Sequence, residues 1–125
     1  MIRWLLLADR PGLDLQRFIA GPAEAAAGAR YRHPGRHRQW LLGRAAAKLL
    51  LWRERRALGL ADARPQAIHI LRAPAGWPRP LDAAGRPLAI DPSIAHCAGA
   101  ALCAVAPAAA GRLGADIEPA ARRSP

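Results

Sequence analysis

From His37 to Leu60 the chain contains no proline, and its leucines and alanines recur at helical spacing. Leu41, Ala45 and Trp52 fall on one side of such a helix. Leu42, Ala46, Leu49 and Leu50 lie beside them and widen the apolar stripe. His37, Arg44, Lys48 and Arg55 fall at helical spacing too and form a second, cationic stripe. Gly59 and the 61–65 segment, which ends in Pro65, stop the run. A helix with one broad apolar face must bury it, so the expected fold is α/β (α+β), with a small mixed, mostly antiparallel sheet packed on this one long helix.

Residues 2–8 read as a short buried strand closed by Arg10-Pro11-Gly12. The alanine-rich stretch from Leu13 to Gly28 has room for one short helix whose length Pro22 limits, and His33-Pro34-Gly35 reads as a turn. Ala67 to Leu71 alternates like a strand. Arg72 to Pro92 holds five prolines and two glycines and reads as a long, loop-rich and therefore functional connection. Ser93 to Pro107 fits one buried strand entered through a polar corner. Leu113 to Glu118 reads as a further short strand. A length of 125 residues fits a single domain, 1–125.

Eighteen arginines and one lysine give a net charge of +10, which favours anionic partners of any kind. Alanine supplies much of the apolar fraction and buries little area, so the core is expected to lean on leucines and on Trp4, Trp40, Trp52 and Trp77. Cys97 and Cys103 are spaced neither as a disulfide framework nor as CxxC knuckles. The apolar start is too short for a secretory segment, and no stretch is long enough to span a bilayer. A cytoplasmic protein without a membrane partner is the expectation.

Three short pieces stand out in order: Gly85-Arg86-Pro87, then Ser93-Ile94-Ala95-His96-Cys97, then Gly114-Ala115-Asp116-Ile117-Glu118. On a strand, Asp116 and Glu118 point to one face, and two hard oxygen ligands side by side suit Mg²⁺. His96 stands at the polar end of an apolar strand, where its imidazole can donate to a phosphate or a cofactor ring. Arg86, between a glycine and a proline, is placed to hold a guanidinium against a phosphate.

Taken together, a helix with an HRxxLxGRxxxK-like face, then GRP, then a histidine corner leading into an apolar strand, then GxDIE, resembles the larger, surfactin-synthetase type of 4′-phosphopantetheinyl transferase. The resemblance covers about residues 37 to 123. It implies one half of a pseudo-twofold fold and an enzyme that moves phosphopantetheine from coenzyme A to a serine of an acyl or peptidyl carrier protein. Asp116 and Glu118 would hold Mg²⁺ on the coenzyme's pyrophosphate and, with His96, form the catalytic set. His96 and Arg86 would contact the 3′-phosphoadenosine end, Gly85 would shape that loop, and Arg44 and Lys48 would lie near the 3′-phosphate.

Ala95 and Cys97 stand where the family has serines, and Ala115 where it has Ile or Val. The family's second half carries a (W/F)xxKE(A/S) motif that this sequence lacks, so the chain would supply one wall of the cleft and need a second half or a second copy. Three other readings stand beside this one. The cluster Arg30 to Trp40, with aromatic rings among cations, fits a small basic nucleic-acid-binding protein. A transition-metal site could draw on His33, His37, His96, Cys97 and Cys103. The chain could also be an inactive truncated gene product.

Overall fold

The computed structural model describes residues 3–60, 64–72, 74, 76–97 and 99–107. Strand β1 (Arg3–Ala8) leads through a single 3₁₀ turn, Gln16–Phe18, to helix α1 (Gly21–Ala29) and the long helix α2 (Pro34–Ala57). A second 3₁₀ turn, Pro65–Ala67, precedes strands β2 (His69–Arg72), β3 (Pro78–Leu81), β4 (Ile90–Cys97) and β5 (Ala100–Pro107). The strands make a three-stranded sheet in the order β1-β5-β4 and a two-stranded sheet β2-β3, with every pairing antiparallel. The fold is a small α+β arrangement around one long helix.

Helix α2 begins three residues before the proline-free run. Pro34 occupies its first turn, where a missing N–H costs nothing, and the His33 Nδ1 caps it by accepting from the Gly35 and Arg36 amides. The expected turn at His33-Pro34-Gly35 is thus the helix start. Pro22 likewise sits in the first turn of α1 and begins that helix instead of limiting it.

From Trp40 to Leu51 only Arg44 and Leu49 of α2 escape full burial. A helix enclosed on most sides in this way is central to the core. The three-stranded sheet covers it on one side, and the first 3₁₀ turn, α1 and the β2 region pack against it as well. Ala45, Ala46 and Ala47 are completely buried, so the alanine excess gives neighbouring elements close access to the helix. Leu42, Leu50, Leu51, Ile68, Ile70, Cys103 and Val105 fill the core together with the rings of Phe18 and Trp40, and burial pushes the Cys103 thiol pKa up to about 12.

Several expectations are corrected. Trp40 is the only tryptophan of the buried core. Trp4 is 63% exposed and Trp77 37%, while Trp52 is half-buried. Strand β1 is buried on one face only. The apolar stretch 93–107 is not one strand but a hairpin: β4 and β5 pair from Ile90↔Pro107 to Cys97↔Ala100, with Gly99 at φ 76 in the turn. The segment 72–92 is not a bare loop either, because it holds β3 and the start of β4. Pro78, Pro80 and Pro92 disguised these strands, and all three lie in strands at a sheet edge, where a missing N–H is tolerated. The short strand expected at 113–118 lies outside the described residues.

Candidate functional site

The register of β4 on β5 sets His96 opposite Ala101 and Ile94 opposite Cys103. Ala101 and Cys103 are fully buried, so His96 and Ile94 share the sheet face that packs on α2. There they meet Gly43. A Cβ built on Gly43 would stand 2.5 Å from His96 Nε2 and 2.9 Å from Ile94 Cγ2. The glycine in mid-helix is therefore a notch that lets the imidazole rest against the helix, a role the sequence signals only as an isolated helical glycine.

Arg44 follows directly. Its guanidinium lies over the Trp40 ring, 5.2 Å from the centroid, and its buried Nε has no hydrogen-bond partner among the described residues. Burial lowers the Arg44 pKa, opposed by the Glu24 carboxylate and reinforced by Arg72. Desolvation likewise lowers the His96 pKa, and the positive field of Arg44 lowers it further. The outer side of His96 remains open to solvent. A desolvated guanidinium with an unused donor, whose positive field reaches a neighbouring imidazole, has the chemistry to take a phosphate or carboxylate oxygen.

Trp40 lies beneath the Arg44 guanidinium and is itself fixed by neighbours. Tyr31 and His37 stack on it at centroid distances of 6.1 and 6.0 Å. Gly28 leaves room for its ring, since a Cβ there would come within 2.6 Å of it. The His37 Nδ1 donates to the Gly28 carbonyl at 3.0 Å, which ties α1 to α2 beneath the stack.

The other residues singled out in the sequence are placed differently. Lys48 is fully buried and donates to Glu24 Oε1 and to the Phe18 carbonyl, so it presents no cation to a ligand. Its 0% exposure corrects the cationic-stripe reading, which helical spacing suggested for Lys48. Glu24 also accepts from the Ala20 amide at 2.7 Å and the Ile70 amide at 2.8 Å, joining α1, α2 and β2 at one carboxylate. Nothing in the sequence flagged Glu24, because its partners are distant in the chain.

Arg86 projects from the turn between β3 and β4 with its side chain 80% exposed, 3.1 Å from Asp82 Oδ2. Asp82 Oδ1 accepts from the Ala84 and Arg86 amides, and Gly85 supplies the positive φ of 83° that closes the turn. The Arg86 amide and guanidinium together hold the Asp82 carboxyl below its usual pKa. Gly85 thus closes this turn, while the Arg86 guanidinium is engaged by Asp82.

Asp116 and Glu118 lie outside the described residues. Among those described, no cluster of three or more His, Cys, Asp or Glu side chains could hold a metal ion. His33 accepts main-chain amides at Nδ1 and His37 donates from Nδ1 to the Gly28 carbonyl, and neither joins a metal-holding group with the other described candidates of the transition-metal reading. No helix among the described residues is long and apolar enough to cross a membrane. A scan against protein-family models found no match, and a search of curated proteins found no relative. The functional reading therefore stands on the ordered motifs and on the geometry around Arg44 and His96.

Proposed function

We propose that this chain binds the phosphate-bearing end of coenzyme A and forms the corresponding wall of a 4′-phosphopantetheinyl transferase. The observation that carries the reading is the Arg44 Nε, buried beside the Trp40 ring without a hydrogen-bond partner among the described residues, on a guanidinium whose positive field reaches His96. Leaving such a donor unsatisfied costs about 1–3 kcal/mol, a cost that an anionic oxygen would recover. In this reading Arg44 and His96 take the 3′-phosphate, and Gly43 keeps the imidazole close enough to share it. Arg86 would have to leave Asp82 to reach the coenzyme, which its exposed position allows.

The motif order supplies the rest. Asp116 and Glu118 would hold Mg²⁺, which neutralises pyrophosphate charge. A carrier-protein serine oxygen would form a bond to the coenzyme's β-phosphorus while the bond to 3′,5′-ADP breaks, with the serine proton leaving to a base.

Titration calorimetry with coenzyme A and with its 3′-dephospho form tests the reading. Binding of coenzyme A at least about tenfold tighter, with the difference lost in Arg44→Ala, is the expected result; equal binding of the two ligands would refute it. Binding to any duplex, falling steeply with salt, would favour the nucleic-acid reading instead.

A further inference from the structure

Among the described residues strand β1 is an edge of the three-stranded sheet, and its outer side has a definite parity. The Asp9 amide donates to the Gly99 carbonyl at 2.8 Å, continuing the β1–β5 register by one residue. Odd-numbered residues of β1 therefore direct their main-chain groups to β5, and Trp4, Leu6 and Ala8 direct theirs outward. The Arg53 Nη2, 3.3 Å from the Trp4 carbonyl, marks that outward direction. Among the described residues no strand lies beyond β1. The opposite edge is protected: β4 carries Pro92 and lies against β3.

The side chains alternate in the same register. Leu5 and Leu7 turn to the core, while Trp4 and Leu6, 63% and 52% exposed, stand on the sheet face away from α2. Arg3 and Asp9 lie at the two ends of the strand on the helix side. Arg3 is 3.4 Å from Glu54, and Asp9 is held at 2.8 Å by Arg38.

We infer that β1 pairs antiparallel with β1 of a second copy of this chain about a twofold axis through Leu6, making one six-stranded sheet. Three observations select this register. Outward main-chain groups must meet outward main-chain groups, which requires even residues opposite even ones. Centring on Leu6 pairs Trp4 with the partner's Ala8 and Leu6 with the partner's Leu6, each exchanging both main-chain hydrogen bonds, with the exposed Arg53 guanidinium sharing or yielding the Trp4 carbonyl. The same register brings Arg3 opposite the partner's Asp9 at both ends. That aligns Arg38, Asp9, the partner's Arg3 and the partner's Glu54 in alternating charge on the helix side. The contact is isologous and closes with two copies. It is independent of the coenzyme reading, because the Arg44–His96 site lies at β4, the other edge of the sheet, and stays open.

Sedimentation of the full chain over a wide concentration range, combined with amide hydrogen exchange, tests the dimer. The expected result is a mass that doubles with concentration, together with slowing exchange at Trp4, Leu6 and Ala8. Leu6→Lys sets two cations on the axis, and Leu6→Pro deletes an outward N–H while leaving the bonds to β5 intact; both should abolish the dimer with the far-ultraviolet circular dichroism unchanged. A chain that stays monomeric overturns the proposal, as does a dimer that survives both substitutions. Protection of those amides at every concentration overturns it too, by assigning the edge to the chain's own residues. Should both variants unfold, the concentration dependence of exchange in the unaltered protein decides.

Discussion

Gly43 illustrates how a single residue can be read in opposite ways. Helix propensity alone makes Gly43→Ala favourable by up to about 1 kcal/mol. The added methyl would meet His96 Nε2 at 2.5 Å and Ile94 Cγ2 at 2.9 Å, and overpacking of that kind costs about 1–3 kcal/mol. Gly43→Ala should therefore lower the melting temperature and push the imidazole into solvent. Followed by nuclear magnetic resonance, the His96 pKa should then rise toward its ordinary value; a stabilised variant with an unchanged His96 titration would contradict the account. The pH dependence of binding follows from the same pair. A histidine whose pKa is lowered by burial and by Arg44 is neutral in the free protein at neutral pH and takes up a proton when an anion arrives. Anion affinity should increase as pH falls from about 8 toward 6, with proton uptake visible in calorimetry across buffers of different ionisation enthalpy. In the unliganded fold the sign is reversed for stability, which falls as pH drops below the ordinary histidine value of 6.5 because the unfolded chain binds the proton more readily. Histidine and arginine were visible in the sequence as candidates, but their meeting point was not, since it depends on the pairing of β4 with β5 and on a notch in a helix more than fifty residues earlier.

Among the elements, α2 was the most legible because one uninterrupted period signals it, and its errors were confined to the ends: Pro34 and the His33 cap start it three residues earlier, and it stops at Ala57 instead of Leu60. The strands were harder. Prolines at 78, 80 and 92 read as loop, and only the sheet order shows that they occupy edges. The apolar run 93–107 hid its hairpin because both strands lie against the same helix and Gly99 is its only clear punctuation. The least legible contact is the one that ties the elements together. Lys48 belongs by spacing to a cationic stripe, yet it ends in the core on Glu24 and the Phe18 carbonyl, while the same carboxylate accepts the Ile70 amide. Removing one partner of a buried pair leaves an uncompensated charge, at a cost of about 3–5 kcal/mol. Glu24→Gln and Lys48→Met should each destabilise by that amount in denaturant unfolding, and the double variant by clearly less than their sum. Additive losses would show that the pair does not act as a unit.

At the scale of the molecule, α2 has the sheet on one side and α1 with the β2 region packed around it, and the Arg44–His96 site lies where His96, near the end of β4, rests on Gly43 of the helix. The net charge of +10 draws anions to the whole surface, but only this site sets a buried, unpartnered guanidinium nitrogen beside a desolvated imidazole among the described residues. A field of surface arginines and a built site differ in their response to ligands. The field binds any polyanion and releases it with salt, whereas the site discriminates for one phosphate in one position. The most direct measurement is an amide and arginine-side-chain resonance map of the full chain titrated with coenzyme A. The account predicts that the Arg44 Nε–H, the His96 ring and the Gly43 amide shift together and saturate, and that the 3′-dephospho coenzyme leaves them in place. Shifts spread over Arg30, Arg32 and Arg36, reproduced by any nucleic-acid duplex and erased by moderate salt, would contradict it.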